Sequence, residues 1–71
     1  MWETIQTQVQ QGVATLSFNR PDSLNSFTRQ MHEEVQQVLK NWNTDPDIRV
    51  IVIRGNGRAF SAGQDLKERA G

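Results

Sequence analysis

The run Ile48-Arg49-Val50-Ile51-Val52-Ile53 limits the possible folds more than any other part of this 71-residue chain. It is nearly continuous and β-branched, the pattern of a strand covered on both faces in a mainly parallel sheet. It is expected to be the most buried segment. A parallel partner requires a crossover, and the sequence supplies one: Met31, Val35, Val38, Leu39 and Trp42 form a single helical stripe between Thr28 and about Asn43. Ser26 or Thr28 can cap this helix. The turn formers Asn43-Thr44-Asp45-Pro46-Asp47 end it, because Pro46 disfavours helix in the residue before it. Upstream, Ile5, Thr7 and Val9 alternate with glutamines as in a half-buried strand. Gln10-Gln11-Gly12 can turn the chain, and Ala14, Leu16 and Phe18 then share one face of a second strand. The expected class is α/β: a β-hairpin, a helix, a buried strand, a glycine-containing loop, and the start of a further helix at Leu66-Lys67-Glu68-Arg69.

A core this small must offset about 1–2 kcal/mol of backbone entropy per ordered residue. With 35% hydrophobic residues, no cysteine and a single histidine, neither disulfides nor a metal can supplement it, so further protein surface is the expected supplement. Residues 1–71 are therefore read as an incomplete part of one domain. Eight Lys and Arg balance eight Asp and Glu, which gives no reason to expect nucleic acid or an anionic membrane as partner. No apolar run approaches the roughly 18 residues of a membrane span, and Met1-Trp2-Glu3-Thr4 does not open a secretory signal. The expectation is a cytoplasmic protein.

Chemistry is expected in the loop that follows Ile53. In open α/β sheets ligands sit beyond the carboxyl ends of the strands. Gly55, Gly57 and Gly63 allow unusual backbone conformations and close approach of a ligand, and Asp65 can cap a helix starting there. Backbone N–H groups at such a helix start can stabilise an anion or a developing oxyanion. The alternative is an ordinary Gly55-Asn56-Gly57 turn with Asp65 as an ordinary cap. Neither the phosphate-binding Gly-x-x-x-x-Gly-Lys pattern nor the dinucleotide Gly-x-Gly-x-x-Gly pattern occurs.

The segment Gly57-Arg58-Ala59-Phe60-Ser61-Ala62-Gly63-Gln64-Asp65-Leu66 closely resembles the "AF-x-AG-x-D" signature of the crotonase, or enoyl-CoA hydratase/isomerase, superfamily. Asn19-Arg20-Pro21, Leu24-Asn25-Ser26-Phe27, Met31 and Asp47 to Ile53 match that family in the same order and spacing, so the resemblance spans the chain. It implies the amino-terminal part of a crotonase-like fold. Within the family, Ala62-Gly63-Gln64-Asp65-Leu66 is similar to the ring-epoxide isomerases of phenylacetate breakdown as well as to ordinary enoyl-CoA hydratases.

The resemblance implies that Gln64 gives its backbone N–H to a thioester oxygen, as one half of an oxyanion hole. It implies that Ala62 and Gly63 line the acyl-CoA site with backbone groups, that Leu24 lies along the coenzyme A, and that Asp65 organises the loop. Arg20 or Arg58 could approach a phosphate. A coenzyme A thioester would be substrate, with no prosthetic group and no metal. The second donor and the acid/base carboxylates would lie in later segments, so the chain is not expected to be active alone. Family members commonly form trimers and dimers of trimers, which makes the rest of the enzyme and further subunits the expected partners. A non-catalytic acyl-CoA-binding or interaction module is the alternative. Within the chain, Glu33 and Glu34 are expected on the solvated face of the helix, His32 at its surface, and Trp2, Trp42, Met31 and Phe27 in packing roles.

Overall fold

A computed structural model describes residues 2–67. β1 (Ile5–Gln10) and β2 (Val13–Phe18) pair antiparallel from Ile5 opposite Phe18 to Gln10 opposite Val13. The turn between them holds Gln11 at φ 52° and Gly12 at φ 82°, left-handed at both positions as a two-residue hairpin turn demands. A 3₁₀ turn at Pro21–Ser23 leads to α1 (Arg29–Asn43), and β3 (Val50–Gly55) returns parallel to β2, giving the sheet order β1-β2-β3. The expected hairpin, helix and parallel crossover are all present. Thr28, not Ser26, is the cap: its hydroxyl accepts from the Met31 N–H at 3.1 Å. Of the helix expected at Leu66–Arg69, Glu68 and Arg69 lie outside the described residues.

The core sits between α1 and one face of the sheet. Ile5, Leu16, Phe18, Met31 and Val38 form a buried cluster, with Trp2, Phe27, Val35, Leu39 and Trp42 packed around it. β2 lies at the centre of the sheet, and its residues Ala14 and Leu16 are wholly buried. The half-buried strand expected for β1 is buried only at Ile5; Thr7 and Val9 on the same face are exposed.

β3 corrects the expectation drawn from its composition. Val50, Ile51, Val52 and Ile53 are 40–51% exposed, so the most apolar segment is among the least buried. It is an edge strand, hydrogen-bonded on one side to β2, and among the described residues nothing covers its outer edge. The β-branched pattern reports a requirement for cover, and cover depends on what packs there.

Glu34 is a second correction. Three residues after Met31 and four before Val38, it faces inward and is 8% exposed. Its Oε1 accepts from the Thr4 N–H at 2.9 Å and the Thr4 hydroxyl at 2.6 Å, and its Oε2 from the Glu3 N–H at 3.1 Å and the Gln30 amide at 3.3 Å. The carboxylate thus joins the chain's first residues to α1. Burial pushes its carboxyl group up, but the hydrogen bonds from Thr4, Glu3 and Gln30 together outweigh burial and hold it below the ordinary value of 4.5. A carboxyl lowered in the folded state stabilises above its unfolded value, and the contribution is lost as pH falls through the folded one. Melting between about pH 6 and about pH 3 should therefore show an acid-labile component that Glu34→Gln reduces. Equal acid sensitivity in the two proteins would assign that component elsewhere.

Candidate functional site

Beyond Gly55 the backbone folds back on itself. A Cβ at Gly55 would lie 2.5 Å from the Phe60 carbonyl oxygen, 2.6 Å from that of Ala59 and 2.7 Å from the Phe60 Cα. The approach that this glycine permits is therefore of the chain to itself, not of a ligand, and its φ is not left-handed. Asn25 ties the fold-back down. Wholly buried at φ 55°, it donates from Nδ2 to the Asn56 and Ala59 carbonyls, both at 2.8 Å, and accepts the Arg20 N–H on Oδ1 at 2.7 Å. Its neighbour Leu24 is also left-handed at φ 52°, an uncommon state for a leucine. The Leu24 carbonyl accepts the Ala62 N–H at 2.9 Å, which brings together two residues expected at the substrate site.

The next residues pair with the segment before α1. The Phe27 N–H donates to the Gly63 carbonyl at 2.7 Å, and the Asp65 N–H to the Phe27 carbonyl at 2.8 Å, a parallel bridge centred on Gln64. The Gly63 carbonyl and the Gln64 N–H belong to one planar trans peptide. With the carbonyl held against Phe27, the N–H points directly away from it. Gly63, at φ 94°, supplies the left-handed conformation in this bend. Around the bridge, the Ala62 N–H is bonded to Leu24, the Gly63 N–H to the Ser61 hydroxyl at 3.1 Å, and the Asp65 N–H to Phe27. The Gln64 N–H alone among these four has no partner among the described residues.

Asp65 ties this loop to the segment before α1. Its Oδ1 accepts the Lys67 N–H at 2.9 Å, and its Oδ2 forms an ion pair with Arg20 Nη1 at 3.1 Å. Arg20 also donates to the Ser26 carbonyl and to the Ser26 and Ser23 hydroxyls. Its guanidinium bonds within the protein, whereas Arg58 is exposed and makes no ion pair among the described residues. Three further residues meet here, of which Phe27 was expected to pack and His32 to lie at the surface, whereas Ser61 was not singled out from the sequence. The Ser61 hydroxyl donates to the Asn25 carbonyl at 2.9 Å, and the Phe27 ring packs edge-on to Phe18, centroids 4.9 Å apart. His32, exposed as expected, lays its ring 4.7 Å from that of Phe27. Periodicity could not reveal the Ser61 bond, which joins residues 36 positions apart.

Phe18, Phe27 and Phe60, with His32, Ser61 and Gln64 at the rim, line a shallow cleft of about 350 Å³. Its walls are nearly all apolar. Among the described residues no Asp or Glu lines it, and His32 is its one titratable side chain.

The family model for enoyl-CoA hydratase/isomerase matches residues 8–71. The chain is 46% identical over 69 residues to 1,2-epoxyphenylacetyl-CoA isomerase of Escherichia coli (strain K12), covering 97% of this chain and 26% of the relative. It is 41% identical over 69 residues to a probable enoyl-CoA hydratase of Mycobacterium bovis, covering 97% of this chain and 27% of that protein. The crystal structure of an enoyl-CoA hydratase from Mycobacterium marinum superposes with a TM-score of 0.93 at 38% identity, over 96% of this chain and 32% of the other. The chain thus spans about a quarter of the length of the curated relatives it matches. With residues 8–71 of the chain matching the family model and its backbone superposing on that of a solved hydratase, this chain belongs to the enoyl-CoA hydratase/isomerase family and has the ββα architecture of the amino-terminal part of the crotonase fold.

Proposed function

We propose that the chain supplies one oxyanion donor, the Gln64 backbone N–H, and part of a coenzyme A thioester groove to an acyl-CoA hydratase or isomerase. The observation that carries this reading is the Gln64 N–H, aimed away from Phe27 and without a partner among the described residues, between the bonded amides of Ala62, Gly63 and Asp65. As an enolate forms, negative charge builds on the thioester oxygen, and a fixed donor aimed at it lowers the barrier by about 3–4 kcal/mol. Rigidity matters here because a donor held in place by Phe27 needs no reorganisation when the charge develops. Ala62, Gly63 and Leu24 form the backbone wall beside it, and Asp65 holds the loop through Arg20 and the Lys67 N–H. The names of the relatives, an epoxyphenylacetyl-CoA isomerase and an enoyl-CoA hydratase, support a thioester substrate.

Residues 1–71 act in this reading as part of one larger domain, with acid/base carboxylates supplied from outside the described site. A non-catalytic acyl-CoA-binding module is the second reading, favoured by the absence of a carboxylate from the cleft among the described residues. Titrating the ¹⁵N-labelled chain with butyryl-CoA tests the common element. The Gln64 amide should move most, with Ala62 and Gly63 next, and the chain alone should not hydrate crotonyl-CoA. A Gln64 signal that stays fixed while others shift would refute the donor assignment.

A further inference from the structure

The Gln64 side chain is held at both ends. Its Nε2 donates to the Phe27 carbonyl at 2.9 Å, and its Oε1 lies 3.3 Å from Nε2 of His32. A carboxamide oxygen only accepts, so His32 carries a proton on Nε2 in this contact. His32 is itself fixed. It sits in the first turn of α1, its N–H bonded to the Thr28 carbonyl at 3.0 Å, and its ring rests against Phe27. The helix and the residue before its cap thereby meet on one loop carboxamide.

Gln64 is exposed and, unheld, its side chain would sample several rotamers. Some of these would bring the carboxamide beside the residue's own backbone N–H, where its oxygen competes for the donor. The bridge at Phe27 aims the peptide but does not restrain this side chain. We propose that His32 is a positioning residue: it pins the Gln64 carboxamide against Phe27 and so keeps the outward face of the Gln64 N–H open to an acceptor. The consequence for ligand binding rests on the proposed function, whereas the pinning itself does not.

The test compares the full chain with His32→Ala, His32→Phe, which keeps a ring without a donor, and His32→Gln, which keeps a donor without the ring. Unchanged Leu16 and Met31 signals establish that each variant is folded. Cross-relaxation between the Gln64 carboxamide protons and Phe27 should persist in the unaltered chain and His32→Gln but fade in His32→Ala and His32→Phe. Freeing the rotamers should raise the Kd for butyryl-CoA about three- to ten-fold in the latter two and leave His32→Gln nearly unchanged. A carboxamide contact that survives in His32→Ala overturns the proposal, as does a lost contact with unaltered Kd. Failure of the unaltered chain to bind butyryl-CoA counts against the thioester reading, and the carboxamide contact then decides the pinning by itself.

Discussion

Replacing Gly55 by alanine is expected to detach the Arg58–Asp65 loop from the end of β3. The added methyl would meet three backbone atoms at 2.5–2.7 Å, and backbone cannot rotate away as a side-chain tip can. Either β3 shifts against β2, where Gly55 pairs with Phe18, or the fold-back at Ala59 and Phe60 opens. Overpacking of this kind costs about 1–3 kcal/mol and occasionally more. In a domain of this size each kcal/mol lowers the melting point by about 4–8 °C, so a fall of about 10 °C or more is expected. Butyryl-CoA shifts at Gln64 should disappear with it, because the peptide that aims the donor is built on this fold-back. A variant that melts like the unaltered chain would show that the close approach is absent in solution.

Asn25 should prove almost as sensitive, and the near-isosteric Asn25→Asp is the sharper form of the experiment. Alanine at this position strands the Arg20 N–H and the Asn56 and Ala59 carbonyls in a buried site, at about 1–3 kcal/mol for each group left without a partner. It also loses the tolerance of asparagine for a left-handed backbone. Aspartate preserves shape and the acceptor for Arg20, yet turns a carboxylate oxygen toward two carbonyl oxygens. Both substitutions should remove about 3 kcal/mol or more, a large share of the roughly 4–10 kcal/mol available to a chain of this length. Thermal melting of the two variants provides the measure. If Asn25→Asp melts near the unaltered chain, the two Nδ2 bonds do not hold the loop.

The two positions differ in how legible they are. The glycine-bearing loop after the third strand was apparent in the sequence. That Gly55 accommodates Phe60 rather than a ligand was not, because a glycine carries no mark of what approaches it. Asn25 reads as a local turn former, since short amide side chains ordinarily bond within a few residues. Its Oδ1 does so with the Arg20 N–H, but the partners of its Nδ2 lie 31 and 34 positions away, a distance that only the closed chain reveals. Arg20 and Glu34 follow the same rule. Each reads as an exposed charge, and each instead bonds internally, to Asp65 and to Thr4 respectively.

Local periodicity determined the hairpin, the boundaries of α1 and the parallel return of β3, because side-chain spacing fixes which face of an element is apolar. The motif from Gly57 to Leu66 was sufficient to indicate the family. Tertiary structure alone decided burial and direction. It left the β-branched β3 exposed at an edge and buried Glu34 against Glu3 and Thr4. It also aimed the Gln64 N–H outward, since a peptide's orientation depends on what holds its carbonyl, and that is Phe27, 36 residues before Gly63 in the chain.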